Sequence, residues 1–367
     1  MSTHPDRLLA FATLAALSLC PLGARAQAPA ATPYPRPGVP AFTPLPQIRP
    51  PATPYVRPAT PAATPFARPL TPTPAPFLPS SALTRATPAP PPSSPPAREI
   101  PLVEKKLEDL SNQKMSKDGQ LALSINPAKW KHAETDNFII HYRRATEAQK
   151  VVREIEYDLW FVATTLKAGK DRYEKKSHVY VFEDEKEWKE FLDQSNNPIK
   201  WAASFAFGDE LFLNIRGAGN SGTGSFDSHT LAHETTHAVV ARLFRGKRWP
   251  LWLNEGFAEF MGGASVAARK GQSPKRFERD LKAADLPLSK LAETTSYPTS
   301  EAAVHQLYQS SEKFVRFLMT EMPKDRIVTY IEAVLDGKSL SDAALSTYND
   351  KVKDWDDFQK KYAKFSK

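Results

Sequence analysis

Hydrophobic and polar positions divide the chain into three stretches of different character. Leu8 to Leu19 is a short apolar run, preceded by Arg7 and broken by Pro21. From Ala28 to Ala97 Pro, Ala and Thr dominate and no apolar period develops. Beyond Pro101, after a charged lead-in that predicts a helix, regular periods set in. Phe138-Ile-Ile-His-Tyr142, behind Asp136-Asn137, predicts a strand, and Val151, Val152, Ile155, Leu159, Val162 and Leu166 place a helix over Thr146 to Leu166. His178 to Phe182 predicts a second strand and Asp184 to Leu192 a polar helix. Glu210 to Ile215 predicts a third strand, followed by a Gly/Ser-rich loop over Gly217 to Ser225. From Phe226 onward the periods are helical. Strands mixed with helices first, then helices alone, predict an α+β fold with a small mixed sheet packed on a mostly helical C-terminal lobe. The expected division is 1–26, 27–100 and 101–367, with the sheet in about 125–225 and the helical part in about 226–367.

The first two stretches speak to location. An apolar run as short as Leu8 to Leu19 does not cross roughly 30 Å of hydrocarbon, and Ala24 and Ala26 suit a signal peptidase. Cleavage after Ala26, and a secreted or periplasmic mature protein without a membrane span, are expected. A lipoprotein anchor at Cys20 is disfavoured by the bulky Leu19. Cys20 is the single cysteine, so the mature chain has no disulfide, cysteine nucleophile or thiolate ligand. The Pro-rich stretch repeats Thr32-Pro-Tyr-Pro-Arg-Pro, Thr53-Pro-Tyr-Val-Arg-Pro and Thr64-Pro-Phe-Ala-Arg-Pro. Proline at that density removes backbone donors and favours an extended, disordered spacer. It serves either as a tether or as a docking peptide for the cell envelope through Tyr34, Tyr55 and Phe66. The formal charge of +8 is concentrated here: eight Arg against Asp6 and Glu99 put +6 on residues 1–99 and leave +2 for the rest. So small a surplus is too little for a basic nucleic-acid face to be inferred from net charge, and no nucleic-acid partner is expected.

Candidate chemistry centres on Thr230-Leu-Ala-His-Glu-Thr-Thr-His-Ala-Val-Val240, an HExxH pattern in an apolar helical stretch. Residues four apart share a helical face, so His233 and His237 can converge on one ion while Glu234 reaches the water beside it. Zinc suits nitrogen and oxygen donors, and a catalytic site takes three protein ligands and leaves one position for water. The metzincin pattern is excluded, because Val240 and Leu243 stand where Gly and His would be needed. His229 sits four residues before His233, but behind Asp227 and Ser228 it reads as part of the helix start. His132, His141 and His178 read as sheet or surface positions, and Trp249, Trp252 and Phe257 as packing.

Downstream lies Trp252-Leu-Asn-Glu-Gly-Phe-Ala-Glu-Phe260, a second amphipathic helix. With HExxH it resembles the gluzincins, and the aminopeptidase N family in particular. The resemblance implies Glu255 as third zinc ligand and Glu234 as general base. The seventeen-residue spacer 238–254 is one residue shorter than is typical of that family. In thermolysin-like gluzincins an acidic residue at the position of Glu259 accepts from the first zinc histidine, which implies that role toward His233; an ordinary helix carboxylate is the other reading. Tyr308, heading Tyr308-Gln-Ser-Ser-Glu-Lys-Phe-Val-Arg-Phe-Leu318, matches the oxyanion tyrosine of aminopeptidase N-like enzymes, with Tyr297 and His305 as alternatives. Residues 125–367 are similar in layout to peptidase MA-like proteins. The resemblance implies a zincin-like hydrolase of peptide or protein substrates. Lacking the Gly-Ala-Met-Glu-Asn segment that grips a free amino terminus, the chain reads as an endopeptidase. The strand Glu210 to Ile215 is expected at a sheet edge, pairing with extended substrate. Two other classes fit the same residues: a non-catalytic envelope-binding protein with a structural zinc, and a zinc hydrolase of a cell-wall amide.

Overall fold

Strand residues alternate between two faces, and each face of the sheet in this chain collects its own apolar set. The computed structural model describes residues 95–96, 99–195, 202–216, 227–272 and 286–366. The signal segment, nearly all of the Pro-rich stretch and the Gly217–Ser225 loop lie outside the described residues. Six strands and ten α-helices are described. In chain order they are β1 Val103–Lys105, α1 Lys117–Ser124, β2 Lys131–Glu134, β3 Phe138–Tyr142, α2 Ala145–Thr165, β4 Ser177–Phe182, α3 Glu185–Gln194, β5 Ser204–Phe207 and β6 Glu210–Asn214. Helices follow: α4 Ser228–Leu243, α5 Leu251–Arg269, α6 Leu288–Glu293, α7 Glu301–Thr320, α8 Ile327–Leu335, α9 Leu340–Thr347 and α10 Trp355–Phe365. The strands form one mixed sheet in the order β1-β2-β3-β4-β6-β5. β3, β4 and β6 are parallel neighbours and the other pairs are antiparallel.

Phe138, Ile140, Val179, Val181, Leu211 and Leu213 face the main core, where α2, α4, α5 and α7 bury their apolar sides. On the opposite face Tyr180, Phe182 and Phe212 meet Ala122 of α1, Ile125 just after it, and Trp188, Phe191 and Leu192 of α3. Complete burial of side chains of this size is worth about 1.5–3 kcal/mol each. The ring of Phe212 stacks on Tyr180 and Phe205 with centroids 4.8 Å apart in both cases. α1 is tied down by Glu210, whose carboxylate accepts from the N–H and the hydroxyl of Ser116 at 2.6 and 2.7 Å. No helix among the described residues is long and apolar enough to cross a membrane.

Two expectations are corrected. The lead-in after Pro101 is helical only in part: α1 lies within it, but it opens with Val103–Lys105, which pairs with β2 as the outer strand on that side. Glu210 to Ile215 is not an edge either. β6 lies between β4 and β5, because Gly208, at φ 60°, turns the chain back and lays Ser204–Phe207 along its outer side. β1 and β5 are too short to show a period, and β2 carries Lys131, His132 and Glu134, so local pattern alone does not reveal them.

The pairing register brings three histidines of β2, β3 and β4 into a row on the face that carries α1. His132 Nδ1 lies 2.8 Å from His141 Nδ1, and His141 Nε2 lies 2.9 Å from His178 Nδ1. The rings of His141 and His178 are nearly parallel, at 2°. Burial lowers the pKa of all three. It acts against Glu108 at His132, together with repulsion from the other two imidazoles at His141, and with Lys175 against Asp209 and Glu134 at His178, which falls to about 4. Each imidazole therefore binds its proton less readily in the folded chain, and the unfolded chain gains protons first as pH drops below about 6.5. Stability is held above that value and lost as pH falls toward the folded pKa values. The melting temperature should fall between about pH 7 and pH 5, and fall less in a His178→Asn variant; identical pH slopes would remove this explanation.

Candidate metal centre

The site is assembled by α4 and α5 lying side by side. α4 starts where the carboxylate of Asp227 accepts from the N–H groups of His229 and Thr230, at 3.2 and 3.1 Å. The hydroxyls of Thr235 and Thr236 donate back to the carbonyls of Leu231 and Ala232, 2.8 Å each. A helix buried almost all round can thus carry these polar side chains. α5 meets its neighbours through glycines. A Cβ on Gly262 would lie 3.2 Å from the carbonyl oxygen of His229 and from the N–H nitrogen of His233, and one on Gly256 would lie 2.3 Å from the carbonyl oxygen of Ser311 in α7. Gly256, next to Glu255, lets α7 approach; any larger residue would collide with backbone. Glu255 and Glu259 are held one turn apart, facing α4.

His233 Nε2 and His237 Nε2 are 3.0 Å apart, and Glu255 Oε2 lies 3.5 Å from each. Donors sharing one tetrahedral zinc at about 2.0–2.1 Å stand roughly 3.3 Å from one another, so this triangle fits such an ion. The 3.5 Å separations are long for hydrogen bonds, and Glu255 Oε2 is buried without one. His233, His237 and Glu255 are the group among the described residues whose donor atoms could hold a metal. The side chains of His233 and Glu255 are 1 % exposed and that of His237 is 13 % exposed, so the site opens past His237.

Electrostatics tie these groups together. Burial opposes the proton on His233, yet the nearby carboxylates of Glu255 and Glu259 carry its pKa well above the usual imidazole range. Burial likewise opposes charge on Glu255, but the neighbouring His237 and His233 hold its carboxyl well below the usual carboxylate range. The cluster is thus built to hold positive charge at its centre, from protons or from a divalent cation. Burial pushes the Glu234 carboxyl up, against the pull of His233 and His237 and a hydrogen bond from the backbone N–H of Ala206 in β5. Glu234 Oε1 is buried and makes no hydrogen bond. A carboxylate of raised basicity with an open oxygen can accept a proton.

Glu259 lies between two histidines, with Oε1 3.2 Å from His233 Nδ1 and Oε2 3.8 Å from His229 Nε2. His229 faces Glu259 and not the three donors. Of the residues weighed for an oxyanion role, Tyr308 is buried with its ring 6.2 Å from that of His233. His305 is half buried earlier on α7. Tyr297 does something the sequence does not suggest: its hydroxyl donates to Glu255 Oε1 at 2.7 Å. It reaches the site from a loop 42 residues further along the chain, and no local pattern marks such a contact. The N–H of Ala206 on Glu234 is equally hidden, because it depends on β5. Trp252 and Phe257 are core residues and Trp249 packs half buried against them. No protein-family profile matches this chain, and no curated protein matches it.

Proposed function

We propose that this chain is a zinc-dependent peptidase of the gluzincin type on a zincin-like fold, secreted or periplasmic, and acting as an endopeptidase on protein or peptide substrates. The observation that carries the reading is the convergence of His233, His237 and Glu255 donor atoms beside the open oxygen of Glu234. A purely structural zinc has no use for a buried carboxylate at that position with one oxygen left without a hydrogen bond. Zinc, when bound, acidifies a water molecule and polarises a carbonyl. Glu234 takes the proton from the attacking water and passes it to the leaving amine, with Ala206 fixing the direction of its carboxylate. Glu259 holds the ring of His233 through Nδ1, leaving Nε2 as the donor. Tyr308 stands beside His233, where a hydroxyl can donate to charge developing on the carbonyl oxygen. β5 is the outer strand beside α4, and extended substrate can pair along it, the role expected from the sequence for Glu210 to Ile215. The Pro-rich stretch would set the domain away from the envelope.

The test is hydrolysis of an unfolded protein such as casein. Cleavage should disappear after chelation and return with zinc. Cleavage that persists in the metal-free chain would reject the reading.

A further inference from the structure

The two oxygens of Glu255 have different partners. Oε2 faces the two imidazoles, while Oε1 receives the hydroxyl of Tyr297 at 2.7 Å and the amide Nδ2 of Asn254 at 3.3 Å. Asn254 precedes Glu255 on α5, and its contact is the longer of the two. Tyr297 comes from between α6 and α7, and its placement is unusual for a packing residue. The residue is 45 % exposed, yet its hydroxyl is turned inward onto a carboxylate that is 1 % exposed. That hydroxyl also interacts with the side chain of Tyr308, whose ring lies 6.5 Å away. A buried tyrosine hydroxyl ordinarily finds some hydrogen-bond partner, and here that partner is the oxygen of Glu255 turned away from the two imidazoles.

We infer that Tyr297 is a positioning residue whose hydroxyl holds Glu255 Oε1 away from the ion, so that Oε2 alone joins His233 and His237. This rests on the peptidase reading and assigns Tyr297 a task separate from that of Tyr308. A carboxylate free to rotate can offer both oxygens, or turn away and leave two ligands. Either change weakens the site or fills the position that water needs. A hydrogen bond to a charged acceptor at 2.7 Å is of the stronger kind and opposes that rotation.

The experiment compares zinc affinity and zinc dissociation rate in the full chain, in Tyr297→Phe and in Tyr308→Phe, using a competing chromophoric chelator. Phenylalanine keeps the ring and removes the hydroxyl, so the loop retains its packing. Loss of a partner that orients a metal ligand typically costs about 10–100-fold in affinity, and Tyr297→Phe should lose that much. Tyr308→Phe should retain zinc and lose turnover. Unchanged zinc affinity in Tyr297→Phe, with or without lost turnover, overturns the inference alone. A wild-type chain that binds no zinc overturns the peptidase reading and the inference with it.

Discussion

Glu234→Gln is expected to lower the rate of peptide hydrolysis by roughly 10²–10⁴-fold, the usual contribution of a general base, while zinc still binds. Glutamine matches the carboxylate in size and can still accept the N–H of Ala206, so α4 and its contact with β5 remain. It cannot take a proton from water. Nor is Glu234 one of the three converging donors, so the metal should be held as before. The loss should fall on kcat at unchanged zinc content, measured on casein or a quenched peptide with metal analysis of the same sample. A variant as active as the wild type would remove Glu234 from the mechanism.

His237→Ala is expected to abolish both activity and the gain in stability that zinc confers. His237 is the outermost of the three donors, with 13 % of its side chain exposed, so truncating it removes little packed volume. His233, at 1 %, would be a poorer choice because it is fully packed and also contacts Glu259. Zinc at 1,000 times its dissociation constant stabilises a folded site by about 4 kcal/mol, which the variant forfeits. The readout is the melting temperature with and without zinc. The wild type should rise and the variant should not, while their metal-free values stay close. An equal zinc-induced rise in both would place the ion elsewhere. The rise should also shrink on acidification, because protons compete for the imidazoles.

The parts of this site that were legible in the sequence are those set by helical geometry. His233, Glu234 and His237 share one turn of α4, and Glu255 and Glu259 one turn of α5, so residue spacing alone predicts which side chains share a face. The meeting of the two helices came from resemblance, and the glycines explain it physically: Gly262 and Gly256 remove the side chains that would hold α4 and α7 off α5. What spacing does not encode is pairing between distant segments. β5 became the outer strand through a turn at Gly208, and the correct edge, with Ala206 on Glu234, followed from that turn. Tyr297 reaches Glu255 from an irregular loop. The row of His132, His141 and His178 exists only once β2, β3 and β4 are in register; strand assignment placed each histidine but not their hydrogen bonds.

The most direct test of the account is X-ray absorption at the zinc edge on the zinc-loaded protein, with metal stoichiometry from the same sample. One tightly held zinc per chain is expected, in a four-coordinate environment of two imidazoles and two oxygens, without sulfur, with loss of one imidazole in His237→Ala. A chain that retains no zinc, or a spectrum that His237→Ala leaves unchanged, would contradict it.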